Sequence, residues 1–134
     1  MSAALTEGQK NLLLDKNLAH LATLNHDGSP QVSPVWIDFD GKHVLINTEM
    51  KRQKPRNLRR DPRVAVTVID SENAFRYVEI RGRVVEETIE GAFEHIDMLG
   101  KKYLGLDKYP NNAPGDQRVI FKIKPEHVYA QAVD

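Results

Sequence analysis

The 134-residue sequence contains no cysteine. That excludes a disulfide framework, thiolate catalysis and cysteine-held metals, and it suits a reducing cytoplasm, where we expect the protein to reside. No apolar run approaches the roughly 20 residues of a membrane-spanning helix. The opening MSAALTEGQK lacks the apolar core of a secretory signal. Excess charge of one sign is also missing, because 19 Lys and Arg balance 19 Asp and Glu. A neutral chain exerts no whole-molecule attraction on nucleic acid or anionic lipid, so neither is an expected partner. The phosphate and dinucleotide signatures GxxxxGK[ST] and GxGxxG are absent, as are GxSxG and HExxH. His20, His26, His43, His95 and His127 are scattered without zinc-site spacing, so no metal site is expected. With no nucleophile or metal cluster in view, redox or group-transfer chemistry would fall to a bound cofactor.

What is present suits one domain spanning residues 1–134, with 40% apolar and 28% charged residues. Thr6 and Gln9 form a capping-box pattern ahead of Leu12, Leu13 and Leu14, which predicts a helix over Leu5–Asp15. Strands are predicted at Leu18–Leu24, Gln31–Phe39 and His43–Thr48, separated by the Asp27-Gly28 and Asp40-Gly41 turns. A helical turn around Pro55–Arg60 ends at Asp61-Pro62. Arg63–Asp70 and Arg76–Glu86 read as strands, and Thr88–Leu104 as a helix with Ile89, Ala92, Phe93, Ile96, Leu99 and Tyr103 on one stripe. Gly105–Gly115 reads as a loop, Val119–Ile123 as a strand and Val128–Ala130 as a short last one. Six or seven antiparallel strands with hairpin turns point to a closed or nearly closed barrel; an open α+β sheet is the alternative.

One stretch departs from this even composition. Seven basic side chains fall within the thirteen positions from Lys51 to Arg63, against one acid, Asp61. They sit where a strand gives way to a helical turn, beside Asn47, Thr48 and Asn57. Free N–H groups at a helix start and cationic side chains together favour phosphate. The stretch has no interleaved aromatics for stacking bases, which argues against nucleic acid. The single tryptophan, Trp36, follows Pro34, a residue suited to a sheet edge. It reads either as a core or interface anchor or as a wall beside a flat ring. Phe75, Arg76 and Tyr77 open the long strand and read as packing or as a contact offered to another subunit.

Three segments, LAHLATLNHDGSPQVSPVWIDFDGKHVLINT, KRQKPRNLRRDPRVAVTV and FRYVEIRGRV, resemble the pyridoxamine 5′-phosphate oxidase-like split β-barrel superfamily over about Leu12–Val128. The resemblance is nearest to the subgroup that binds the deazaflavin coenzyme F420. It implies a mainly β fold, a six-stranded antiparallel split barrel with flanking helices, and a homodimer with cofactor sites between subunits. It implies an oxidoreductase passing hydride from reduced deazaflavin to a small electron-poor acceptor such as an enone, a quinone or a biliverdin-like tetrapyrrole. FMN is the alternative cofactor, and a non-catalytic flavin, deazaflavin or haem carrier the alternative role. On matching positions Arg52, Lys54 and Asn57 would grip the phosphate with Asn47 and Thr48 beside them, and Ser33, Pro34, Val35 and Trp36 would line the ring. Phe75, Arg76 and Tyr77 would come from the other subunit. Arg60, with Arg56, Arg59 and Arg63, would supply a cation surplus suited to the polyanionic tail of F420. Tyr77 is the candidate proton donor, with solvent as the alternative, and no catalytic residue is assigned.

Overall fold

A computed structural model describes residues 3–134. The chain runs α1 (Glu7–Leu14), β1 (Ala19–Leu24), β2 (Pro30–Val35), β3 (Asp38–Phe39), β4 (Val44–Glu49), α2 (Gln53–Arg60), β5 (Arg63–Asp70), β6 (Asn73–Thr88), α3 (Ala92–Leu104) and β7 (Arg118–Gln131). The capping box forms as its sequence demands: Gln9 N–H donates to the Thr6 hydroxyl at 3.2 Å, and Thr6 N–H to Gln9 Oε1 at 3.0 Å.

All seven strands form one sheet in the order β2-β1-β5-β6-β7-β4-β3, with antiparallel neighbours throughout. A flat sheet of this width would hold its edges roughly 29 Å apart at the usual strand spacing. Yet the edge strands β2 and β3 are separated in sequence only by Trp36 and Ile37, which can bridge about 11 Å at most. The sheet must therefore curl until its edges approach, and the result is a split barrel.

Among the described residues the strand count is seven rather than the six that the resemblance implies, and the segment read as one strand over Gln31–Phe39 breaks at Trp36–Ile37. Ile37 N–H donates to the Tyr103 hydroxyl at 3.1 Å, and its carbonyl accepts from Lys102 Nζ at 2.8 Å, so this residue leaves the ladder. Two further boundaries move. β6 continues to Thr88, paired with Ile120, and α3 begins only at Ala92, after the turn residue Gly91 with its φ of 76°. Ile89 and Phe93, expected on the buried stripe, are exposed; Ala92, Ile96, Leu99 and Tyr103 are the buried apolar face. The two predicted C-terminal strands are one, β7, which passes Pro125 at a register shift.

Inward residues of the strands, including Leu21, Ile46, Val66, Val68, Ile80 and Phe121, fill the barrel, with Leu12 and Leu13 of α1 and Leu58 of α2 joining the same cluster. α3 lies outside: Ala92 packs on Leu45 and Ile120, while Ile96, Leu99 and Tyr103 gather Trp36 and Tyr109.

At Gly82 of β6 the backbone of β7 passes close by. A Cβ there would lie 2.0 Å from the Lys124 carbonyl oxygen, backbone that cannot swing aside. Gly82→Ala should destabilise the fold by about 1–3 kcal/mol, the range for overpacking, read as a lowered urea midpoint at unchanged slope.

Candidate functional site

The barrel's split opens into a cleft of about 310 Å³ between the end of β2, the end of β4, the start of α2 and the face of α3. One wall is apolar and rigid. Trp36 stacks flat on Tyr103, with ring centroids 5.2 Å apart and planes 5° from parallel, and meets Tyr109 edge-on at 5.6 Å. The Tyr103 hydroxyl donates to the Asn17 carbonyl at 2.7 Å as well as receiving Ile37 N–H, which fixes the stack. Pro34, Val35 and Ile96 extend this wall. Pro34 lies on an edge strand, where its missing N–H disturbs no ladder.

The opposite wall is cationic. Arg52 caps the start of α2 and Lys54 follows in its first turn. Lys54 Nζ donates to the Ser33 hydroxyl at 3.0 Å. Arg118 enters from the first position of β7, 5% exposed, with its guanidinium 5.1 Å from the Tyr109 ring centroid and Nε 2.9 Å from Asn47 Oδ1. Among the described residues none of these three cations has a carboxylate within ion-pair distance. Burial pushes the Lys54 ammonium below its ordinary pKa, and the Arg52 charge adds to the effect. Burial likewise lowers that of Arg118. A buried cation without a counter-charge is costly unless something anionic arrives to pair with it.

The loop between α3 and β7 is tied to this wall by Glu49. Its carboxylate accepts Lys51 N–H at 2.9 Å and Gln117 N–H at 3.1 Å. Burial opposes that charge, but the two backbone donors outweigh it and hold the carboxyl below its usual range. Tyr109 N–H donates to Asp97 Oδ1 at 2.9 Å, which places the Tyr109 ring over the cleft.

Of the residues singled out in sequence, the structure brings Pro34, Val35, Trp36, Asn47, Thr48, Arg52 and Lys54 together around the cleft, with Ser33 directly behind Lys54. Asn57 is not among them: it is completely buried, and its amide donates to Thr23 Oγ1 and Asn25 Oδ1 inside the fold. Arg60 donates to the Leu24 carbonyl and to Asn57 Oδ1. Arg59 pairs with Glu87 at 2.9 Å and Arg63 with Asp61 at 2.7 Å, so the cation surplus of the basic stretch is smaller than its count suggests. Phe75, Arg76 and Tyr77 do not line the cleft of their own chain; Arg76 pairs with Asp70 and Tyr77 lies 6.2 Å from Tyr129. Arg118 and Tyr109 also line the cleft; the resemblance implies a pocket built partly from the loop over Leu104–Gly115, which holds Tyr109, but the sequence singles out neither side chain. A lone arginine opening a strand and a tyrosine in a loop give no signal until β7 pairs with β4, where Arg118 falls opposite Glu49.

A family model described as pyridoxamine 5′-phosphate oxidase matches residues 5–132. A solved structure named F420 reductase is 35% identical, with a TM-score of 0.81, over 93% of this chain and 98% of that one. A conserved hypothetical protein from Mycobacterium tuberculosis is 23% identical with a TM-score of 0.68, over 97% of this chain and 86% of its own. General Stress Protein 26 from Bacillus anthracis is 17% identical with a TM-score of 0.70, over 96% and 94%. The last two show likeness of fold alone.

Proposed function

The chain belongs to the pyridoxamine 5′-phosphate oxidase family, and from that premise we propose that it is an oxidoreductase whose cleft holds coenzyme F420. The observation that carries this reading is the convergence of Arg52, Lys54 and Arg118, without carboxylate partners, beside the Trp36 wall. Cations that lack a counter-ion fit a phosphorylated ligand, and a flat aromatic wall fits its ring. The 35% identity to a structure named F420 reductase favours the deazaflavin over other flavins. FMN is the second reading. It is favoured by the pairing of Arg59 and Arg63 with acids, which leaves fewer cations for a polyanionic tail.

Arg52, Lys54 and Arg118 would hold the phosphate; Pro34, Val35 and Trp36 would lie along the ring. When bound, the reduced cofactor supplies a hydride for a small electron-poor acceptor such as an enone, a quinone or a tetrapyrrole. The chain's own part is to fix the ring plane and exclude water from one side of it. The reading includes a homodimer and a cytoplasmic setting. α3 covers the outer face of the sheet at β4 and the start of β7. Beyond it Val32, Phe75 and Tyr129 remain 66%, 77% and 55% exposed. A second copy covering that face would bury them.

Purified protein titrated with oxidised F420 should quench its fluorescence saturably, and sediment as a dimer. With reduced F420 and a panel of enones, quinones and biliverdin, at least one acceptor should be reduced. Binding without oxidation would support a carrier instead, and tighter binding of FMN the second reading. A protein that binds neither cofactor would end the proposal. Only the ammonium form of Lys54 attracts an anion. Affinity should therefore fall as pH rises through the lowered pKa of Lys54, with the decline beginning below the ordinary 10.5.

A further inference from the structure

Arg118 reaches the cleft at the end of a hydrogen-bonded chain that runs behind the wall. Its Nε–H donates to Asn47 Oδ1 at 2.9 Å. Asn47 Nδ2 faces two groups, the Ala92 carbonyl at 2.8 Å and His95 Nδ1 at 3.1 Å. His95, 7% exposed, has its other nitrogen, Nε2, 2.9 Å from Asp38 Oδ2. The four residues come from β7, β4, α3 and β3, so the chain crosses from the barrel wall through the outer helix to the sheet edge.

The partners fix the direction of every bond. Turning the Asn47 amide over would set its oxygen against the Ala92 carbonyl and its NH₂ against the Arg118 N–H, losing both contacts. The amide therefore presents Nδ2–H to His95, whose Nδ1 must accept. The ring proton then sits on Nε2 and is donated to Asp38. Burial opposes the Asp38 charge, but the hydrogen bonds from His95 and from Phe39 N–H outweigh it and keep the carboxyl below its ordinary range. Each link has one donor and one acceptor, and the carboxylate anchors the far end. At the near end, Arg118 is gripped through Nε and the Tyr109 ring, while its two terminal nitrogens make no hydrogen bond to the described residues.

We propose that His95 and Asp38 are positioning residues that lock the Asn47 amide and thereby hold Arg118 with its terminal guanidinium nitrogens facing the anion in the cleft. This rests on reading the cleft as an anion site. His95 touches no ligand in this scheme and acts only through Asn47 and Arg118.

Two measurements test it. In ligand-free protein, ¹⁵N shifts of the His95 ring should show Nδ1 bare and Nε2 protonated. The Arg118 Nε–H signal, identified by its loss in Arg118→Met, should be protected from exchange. His95→Leu should abolish that protection. His95→Gln, whose amide can accept from Asn47 and donate to Asp38, should restore it. In the second measurement, His95→Leu should weaken F420 binding about tenfold, the scale of one or two lost hydrogen bonds, and His95→Gln by less than about threefold. In an Arg118→Met background, His95→Leu should add no further loss, because residues that act through one another are not additive. A proton on Nδ1, protection that survives His95→Leu, or a full additional loss in the Arg118→Met background would each overturn the proposal. Should the native protein bind no F420, the functional reading falls, and the ligand-free measurement still decides this one.

Discussion

Asn57→Ala should lower the melting temperature by about 10 °C while leaving cofactor affinity nearly unchanged in the folded protein. The sequence resemblance sets Asn57 on the phosphate, but its side chain ties α2 to the barrel. The amide donates to Thr23 Oγ1 at 3.0 Å and Asn25 Oδ1 at 3.1 Å, and its oxygen accepts from Gln53 at 2.8 Å and Arg60 at 3.0 Å. The residue is 0% exposed and Thr23 only 1%, so water cannot replace the lost partners at the buried end. Leaving buried polar groups unpaired costs about 1–3 kcal/mol each. A total of about 3 kcal/mol, divided by the unfolding entropy of a chain this long, gives the stated shift. Thermal unfolding of the ligand-free variant measures it. An unchanged melting temperature with a large affinity loss would instead put Asn57 on the ligand.

Asn57 also shows where the sequence could be read and where it could not. β5 was legible because Val64, Val66 and Val68 alternate with less apolar residues, a pattern that only a strand with one buried face produces; the structure bounds it at Arg63–Asp70, as expected. The capping box placed α1 for a similar local reason. Local rules stop at contacts made across the fold. Nothing near Ile37 announces that Tyr103 and Lys102 will capture its backbone and split one strand into two. The stripe through Ile89 and Phe93 has helical spacing, but Ile89 falls between β6 and α3 and Phe93 turns outward.

The cleft divides in the same way. Arg52 and Lys54 stand out because charge is locally concentrated, and they do face the cleft. Arg59 and Arg63 belong to the same run and point to acids instead, one near in sequence and one 28 positions away. Composition counts charges but carries no information about their partners. His95 had no neighbouring ligand in sequence; Asp38 and Asn47 lie 57 and 48 positions from it.

Lys54→Met should separate binding from stability in opposite directions. In the ligand-free protein Lys54 is half-buried, has one neutral acceptor, Ser33, and faces the like charge of Arg52. Burial and that repulsion both lower its pKa, so the folded state holds this ammonium less readily than water does. Methionine keeps most of the side chain's volume and removes the charge, so the ligand-free melting temperature should hold steady or rise. With an anionic ligand in place the balance reverses, because the ammonium gains a charge-assisted hydrogen bond worth about 1.5–3 kcal/mol. F420 affinity should fall about 10- to 150-fold, the same energy expressed as a ratio. Residues kept for binding commonly carry such a stability penalty in the unliganded state. Calorimetric titration and thermal unfolding of the same preparation give both numbers. If Lys54→Met both weakened the fold and left the dissociation constant intact, Lys54 would be a structural residue and the cationic wall would lose its central member.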